Sequence, residues 1–154
     1  MREIKFRAWD KTINHYQSVY SVEFLQGGVK VEGPGVHIGN GWASEDNGFT
    51  HDCDVVLEQY TGLKDNNGVE IYEGDLIRIP AKSQFEETSY NCFEVFYHDN
   101  ECIGGQNIGF CMNRMHTHGS SGGGSGYKFT PESIKKHGFA VIGNIHQNPE
   151  LVNK

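Results

Sequence analysis

The chain has 154 residues, with 20 acidic and 13 basic side chains, and its formal net charge is −7. This balance disfavours non-specific nucleic-acid binding, because that binding requires Lys and Arg to neutralise phosphates. Hydrophobic residues make up only 36% of the chain, yet 9 Phe, 7 Tyr and 2 Trp argue against a disordered protein. The 20 glycines therefore indicate long loops around an ordered, aromatic core.

The first half of the chain has the pattern of short strands separated by turns. Ile4, Phe6 and Ala8 alternate with basic residues, which predicts a half-buried first strand. We expect Ile4, Phe6 and Trp9 to pack in one core with the central hairpin and the last strand, so that Phe6→Ala would cost about 3–5 kcal/mol. Further strands are predicted over residues 16–24, 29–32 and 53–60.

The second half contains the clearest local signals. Asn67-Gly68 lies between two apolar runs and is the residue pair that a type I′ hairpin turn favours. Thr130-Pro131 indicates the start of a short helix, which ends before Gly138. The remaining strands are predicted over residues 76–79, 93–98, 108–112 and 139–146.

These elements predict a mainly β protein made of small antiparallel sheets, with one short helix near residues 131–137. We expect one compact unit, 1–154, subdivided into an N-terminal β region, 1–72, and a C-terminal region, 73–154. Strand number and order favour an SH3-like, partly closed barrel for the C-terminal region, by analogy between folds. The Gly/Ser-rich tract 119–126 is expected to be a flexible loop.

A group of cysteines and histidines in the second half is the strongest candidate for a metal site. Thiolate and imidazole are the ligands that zinc prefers. The group lacks the short Cys-Cys and His-His spacings of zinc sites, and isolated cysteines are usually buried small hydrophobes. We therefore expect no metal, although the sequence leaves open whether these residues converge: Cys92, His98, Cys102, Cys111, His116 and His118.

No catalytic or cofactor-binding residue is predicted. His98, Asp99 and Glu101 form the only dense polar group beside a predicted strand, but adjacent strand residues point to opposite faces, so His98 and Asp99 are poorly placed to act as a pair. Residues 119–123 match Gly-x-Ser-x-Gly, but this tract has neither the strand nor the helix that a nucleophile elbow needs. Asp65-Asn66-Asn67-Gly68 lacks the glycine and glutamate positions of a calcium loop.

A second class of function, the binding of single-stranded nucleic acid, is considered because of the basic side chains on the first strand. Arg2, Lys5 and Arg7 give that strand a basic outward face, and small aromatic-rich barrels can stack bases. The same pattern is typical of an ordinary solvent-facing strand that is protected against edge pairing. With a net charge of −7, we favour the ordinary solvent face.

Three blocks of sequence resemble the YopX family of small phage and prophage proteins. They lie at the start, in the middle and near the end of the chain. The resemblance implies a phage-related, mostly β protein, and the family supplies no activity or site residues. The glycine-rich stretches 33–48 and 119–126 depart from the family pattern, and their role is unassigned. The three blocks are Arg2-Glu3-Ile4-Lys5-Phe6-Arg7-Ala8-Trp9-Asp10; Tyr60-Thr61-Gly62-Leu63-Lys64-Asp65 with Asn67-Gly68 and Ile71-Tyr72-Glu73-Gly74-Asp75; and Val141-Ile142-Gly143-Asn144-Ile145-His146 with Asn148-Pro149-Glu150-Leu151.

The function that we expect is a non-enzymatic protein-interaction or self-assembly module. Its partners would be a second copy of the chain or a protein of the host or phage, and nucleic acid is disfavoured. The alternatives are a small barrel that binds single-stranded nucleic acid and an enzyme whose site the sequence does not reveal. The chain has no apolar run of ~20 residues and no secretory signal, which predicts a cytoplasmic protein with reduced cysteines and no membrane association.

Overall fold

A computed structural model describes residues 3–25, 28–32, 48–49, 55–80, 89–98, 109–118 and 128–152. Within these residues the protein is mainly β and has one α-helix. Contacts between Cα atoms divide the chain into two compact units, Met1–Tyr60 and Thr61–Lys154. The predicted subdivision after residue 72 stays a prediction, and the predicted flexible loop 119–126 lies outside the described residues.

The first unit contains an antiparallel sheet with β1 (Phe6–Asp10) at its centre. On one side β1 pairs with β2 (His15–Ser18), and on the other with the first half of β6 (Val55–Lys64). The turn between β1 and β2 is closed by Asp10, whose Oδ1 accepts hydrogen bonds from the backbone N–H groups of Thr12 and Ile13 at 2.8 and 3.3 Å. This short polar side chain thereby fixes the direction in which the chain reverses.

Burial along β1 differs from the simple alternation that the sequence predicts. Ala8, Trp9 and the side chain of Asp10 are all buried, so both faces of the strand are covered at this end. Ile4 precedes the strand and is 72% exposed, so its predicted place in the core is wrong. Phe6 is half-buried, and we now expect Phe6→Ala to cost less than about 3 kcal/mol.

A second, three-stranded antiparallel sheet completes the described part of the first unit. It consists of β3 (Ser21–Leu25), β4 (Gly28–Glu32) and β5 (Gly48–Phe49), with β4 between the other two. Val31 of β4 is buried with Ala8 of β1, and Val55 and Leu57 of β6 pack against them. The apolar positions of these strands therefore meet in one small core.

The second unit begins with the predicted hairpin, which joins the second half of β6 to β7 (Glu70–Tyr72). Its turn is not of type I′, because that type needs positive φ at two central residues, and here Gly68 (φ 87°) has positive φ but Asn67 does not. Gly68 N–H donates to Asp65 O at 3.1 Å, and Asp65 N–H donates to Val69 O at 2.7 Å. These bonds define a three-residue loop in which Gly68 occupies the left-handed position.

Four further strands form the antiparallel sheet of the second unit, which we call the C-terminal sheet. Their order across the sheet is β10, β9, β8, β11. One of the protein's sheets is strongly curled into half of a barrel, which confirms the predicted partly closed barrel and the mainly β class. The four strands are β8 (Asp75–Pro80), β9 (Tyr90–His98), β10 (Gly109–His118) and β11 (Ala140–Asn144).

The predicted helix is α1 (Pro131–His137), and it covers one face of the C-terminal sheet. Thr130 caps it by accepting a hydrogen bond from Ser133 N–H, and Gly138 ends it at φ 66°, a conformation that favours glycine. Ile134 packs into the core of this unit, which is formed by the buried side chains of Ile71, Ile77, Ile79, Phe93, Val95 and Phe139.

Candidate functional site

Two of the family-like blocks meet at a buried pair of polar side chains, Asp75 and Asn144. Asn144 Nδ2 donates to Asp75 Oδ1 at 3.4 Å, and Asp75 Oδ2 accepts from Tyr72 N–H at 2.8 Å. Asn144 Oδ1 in turn accepts from His146 N–H at 2.9 Å. Both side chains are at most 2% exposed. The pair therefore holds the turn before β8 against the end of β11, which is a structural role.

Asp65 makes a second connection between the central and C-terminal blocks. Its Oδ1 accepts hydrogen bonds from the backbone N–H groups of Asn67 and Val69, each at 2.8 Å, and its Oδ2 accepts from Val141 N–H at 3.0 Å. Asp65 is 6% exposed. This carboxylate shapes the hairpin turn and fixes it to β11, so it has the surroundings of a structural residue rather than of a calcium ligand.

The glycine and asparagine of the C-terminal block are also explained by packing. Asn148 Oδ1 accepts from Asn144 N–H at 3.3 Å, and Asn148 N–H donates to Asn144 O at 2.9 Å. A Cβ atom at Gly143 would collide with the Asn148 side chain. The residues that carry the family resemblance in these blocks thus build turns and join strands.

The candidate metal ligands are spread along the β9–β10 hairpin. Cys92 lies opposite His116 in the strand register, whereas His98 lies opposite Gly109, six residues further along β9. At ~3.3 Å per residue, this separates the two ends by about 20 Å. Within the described strands, helix and turns, no three His, Cys, Asp or Glu residues form a group that could hold a metal. Cys102 lies outside the described residues.

The hairpin does place two of these side chains, Cys92 and Cys111, on one face of the C-terminal sheet. Residues alternate between faces along a strand, and Phe93 and Val95 point into the core. The intervening residues of β9, with their register partners in β8 and β10, therefore share the opposite face. We call this surface the Glu94 face, and it consists of Leu76, Arg78, Cys92, Glu94, Phe96, Cys111 and Asn113.

Glu94 lies at the centre of this face. Its register partners are Leu76, which is fully buried, and Asn113, which is exposed. Cys92 and Phe96 flank Glu94 along β9 on the same face. In the part of the chain that the structure describes, no cation or hydrogen-bond donor pairs with its carboxylate. Burial raises the pKa of Glu94 above its ordinary value.

This raised pKa predicts a specific pH dependence for Glu94→Gln. The folded state holds the Glu94 proton more tightly than the unfolded state, so wild-type stability falls as pH rises through the ordinary value of 4.5 to the raised value. We expect the Gln variant to lack this loss and to be more stable than the wild type at neutral pH. The difference should be less than about 1 kcal/mol, because the Glu94 carboxylate is partly solvated.

The measurement is urea unfolding of both proteins at about pH 4 and about pH 7. Glu132→Gln, at an exposed position of α1, is the matched control for the removal of one carboxylate. A Glu94→Gln protein whose stability follows the wild type at both pH values would contradict the assigned environment.

The two described cysteines are expected to differ in reactivity. Both are thiols, but Cys92 is fully buried while Cys111 is half-buried. Burial raises the pKa of the Cys92 thiol, and the thiolate is the reactive form. Brief treatment of the folded protein with iodoacetamide should therefore label Cys111 well before Cys92, as read by peptide mass spectrometry. Equal labelling of both before unfolding would show that Cys92 is accessible.

Arg7, from the basic face predicted for β1, is engaged within the first unit, whereas Arg2 of that face lies outside the described residues. Arg7 forms an ion pair with Glu58, with Nη2 to Oε2 at 2.7 Å, and its guanidinium lies 4.3 Å from the centre of the Tyr16 ring. Tyr16 OH also donates to Glu58 Oε2 at 2.9 Å. Trp9 and Tyr60 are 5% and 4% exposed, so neither ring presents a surface on which a base could stack.

Glu94, Arg78 and Glu58 were missed by the reasoning from sequence. Glu94 interrupts the apolar residues of β9, and a lone carboxylate between Cys92 and Phe96 is the signal that could have identified it. Arg78 and Glu58 are single charged residues within β-strands. No sequence pattern indicates that Glu58 pairs with Arg7, which lies 51 positions away. The pairing register of the strands is needed to identify which residues lie beside these side chains.

The protein is mainly β, and the central and C-terminal blocks of the family resemblance build turns and join strands. The YopX protein family matches residues 5–153, and the chain belongs to this family. A solved structure, that of protein EF1440 from Enterococcus faecalis, is similar over 99% of this chain and 100% of the other, with 25% identity and a TM-score of 0.61. The comparison with curated proteins gave no match. Among the described helices, none is long and apolar enough to cross a membrane.

Proposed function

We propose that this protein is a non-enzymatic interaction module of the phage and prophage type, which acts in the host cytoplasm and binds a protein through the Glu94 face. The observation that carries the proposal is the half-buried Glu94 carboxylate, which lies beside Phe96 without a partner among the described residues. A desolvated charge next to aromatic surface costs free energy that a bound cation would recover. The structural roles of Asp65, Asp75 and Asn144 support the same class of function over an enzyme.

Site-specific photocrosslinking tests this proposal with a control one residue away. Phe96 and Tyr97 are neighbours in β9 whose side chains point to opposite faces of the sheet. A benzophenone side chain is placed at either position, and the protein is irradiated in bacterial cells that produce it. We expect a discrete protein adduct from position 96, absent from position 97 and lost when Glu94 is changed to Arg. Equal adducts from both positions, or none from position 96, would overturn the proposal.

A further inference from the structure

The pair Asn67-Gly68 can undergo a chemical reaction that is separate from its place in the hairpin. When glycine follows asparagine, no side chain shields the next backbone nitrogen, and this nitrogen can attack the amide carbon of the asparagine side chain. Both residues are exposed, and a Cβ atom at Gly68 would meet no atom within 4 Å. The pair is therefore open to water and sterically unshielded.

The turn of residues 65–69, which we call the Asp65 turn, holds both reacting groups. Gly68 N–H must lose its proton before the nitrogen can attack, and it donates to Asp65 O at 3.1 Å. The backbone N–H and the Nδ2 of Asn67 donate to the two carboxylate oxygens of Asp65 at 2.8 and 3.4 Å. This negative charge also disfavours a second anion at the neighbouring nitrogen. The reaction therefore requires the Asp65 turn to open.

We propose that Asn67 is a deamidation site whose rate is set by the opening of the Asp65 turn. In the open turn Gly68 N loses its proton and bonds to Asn67 Cγ, and the Cγ–Nδ2 bond breaks to release ammonia. Water then opens the cyclic imide at either of its carbonyl carbons, which gives aspartate or isoaspartate. The net change consumes a water molecule, converts a neutral amide into a carboxylate and needs no oxidant or cofactor.

Deamidation at this position weakens the connection between the hairpin and β11. In the aspartate product a carboxylate replaces the Nδ2 donor and faces the Asp65 carboxylate, and the two charges repel each other. In the isoaspartate product the backbone gains a carbon atom between positions 67 and 68, so Gly68 N–H no longer lies opposite Asp65 O. Asp65 Oδ2 also accepts from Val141 N–H at 3.0 Å, so displacement of this carboxylate loosens β11.

The wild-type protein provides the first test. It is incubated at mildly alkaline pH, either folded or in guanidinium chloride, and peptide mass spectrometry follows the conversion of Asn67. Asn40-Gly41 and Asn47-Gly48 are the same pair, so all three should react at similar rates in denaturant. Folding should slow Asn67 by about tenfold or more, and by a factor similar to the protection of the Gly68 amide against hydrogen exchange. Equal rates at Asn67 with and without denaturant would overturn the proposal.

Asp65→Asn tests whether the carboxylate itself controls the rate. The variant side chain is uncharged and presents a donor where Asp65 Oδ2 accepts, so Asn67 should react several-fold faster than in the wild type. Phe139→Ala is the matched control, because it lowers stability without changing a side chain of the Asp65 turn. While circular dichroism shows it to be folded, its rate at Asn67 should equal that of the wild type. The same acceleration in both variants would show that global stability controls the reaction. If Asp65→Asn does not fold, agreement between deamidation and Gly68 amide exchange in the wild type decides.

Asn67→Asp reproduces the aspartate product and tests its consequence. We expect a lower urea midpoint than in the wild type, together with faster amide exchange at Val141. Asn66→Asp, at the exposed position before it, makes the same change of charge but keeps the Nδ2 donor of Asn67, and it should be less affected. An Asn67→Asp protein as stable as Asn66→Asp would contradict the weakened connection to β11.

Discussion

Replacing Phe139 by Ala is expected to lower the free energy of unfolding by about 3–5 kcal/mol. Phe139 is fully buried, and its ring contributes to the core formed by β7, β8, β9 and α1. Truncation removes its apolar contacts and leaves a cavity, because the surrounding strands are fixed by their hydrogen bonds and can collapse only partly. For a domain that is stable by about 5–15 kcal/mol, this is a large fraction of the total.

Urea unfolding of the variant against the wild type measures this loss, with Phe6→Ala as the control. Both changes delete the same ring, but Phe6 is half-buried in β1. We expect the Phe139 variant to unfold at the lower urea concentration of the two. Equal midpoints for the two variants would show that position 139 does not occupy the centre of the core.

Replacing Asp65 by Ala should also destabilise the protein strongly, by about 3 kcal/mol or more. The carboxylate accepts hydrogen bonds from three backbone N–H groups, and a hydrogen bond to a charged group contributes about 1.5–3 kcal/mol. The change acts at two places, because it loosens the hairpin turn and also releases β11 at Val141. The loss is read from urea unfolding.

Asp65→Asn separates these two effects. An amide keeps one acceptor oxygen for the turn, but its Nδ2 is a donor and cannot accept from Val141 N–H. We expect a loss smaller than that of the Ala variant, together with faster amide hydrogen exchange at Val141. A variant Asp65→Asn as unstable as Asp65→Ala would mean that the connection to β11 supplies most of the free energy.

The sequence is a good guide to the parts of the fold that depend on neighbouring residues. Thr130, Pro131 and Gly138 bracket α1 because capping is decided within one turn of helix. The hairpin around Gly68 was predicted, but its turn type was wrong, because the Asp65 carboxylate selects a three-residue loop by binding two turn N–H groups. Turn chemistry of this kind depends on a side chain just outside the recognised pair.

Positions that depend on distant strands could not be predicted in this way. Ile4 continues the alternating pattern of β1, yet it is 72% exposed because the paired part of the strand begins at Phe6. The candidate site shows the same limit. Cys92 and Cys111 were recognised as chemically interesting, but only register places Glu94 and Arg78 on their face.

The hydrogen bond from Val141 N–H to Asp65 joins residues 76 positions apart, and it has a consequence for the time course of folding. A ribosome must release β11 before this bond can form, whereas the β6–β7 hairpin can close as soon as its own few residues have emerged. Contacts between distant residues carry a large loop-closure entropy and slow folding. The hairpin is thus expected to form before β11 is available to bond to Asp65. The nascent chain therefore passes through a state in which β8 lacks its β11 neighbour.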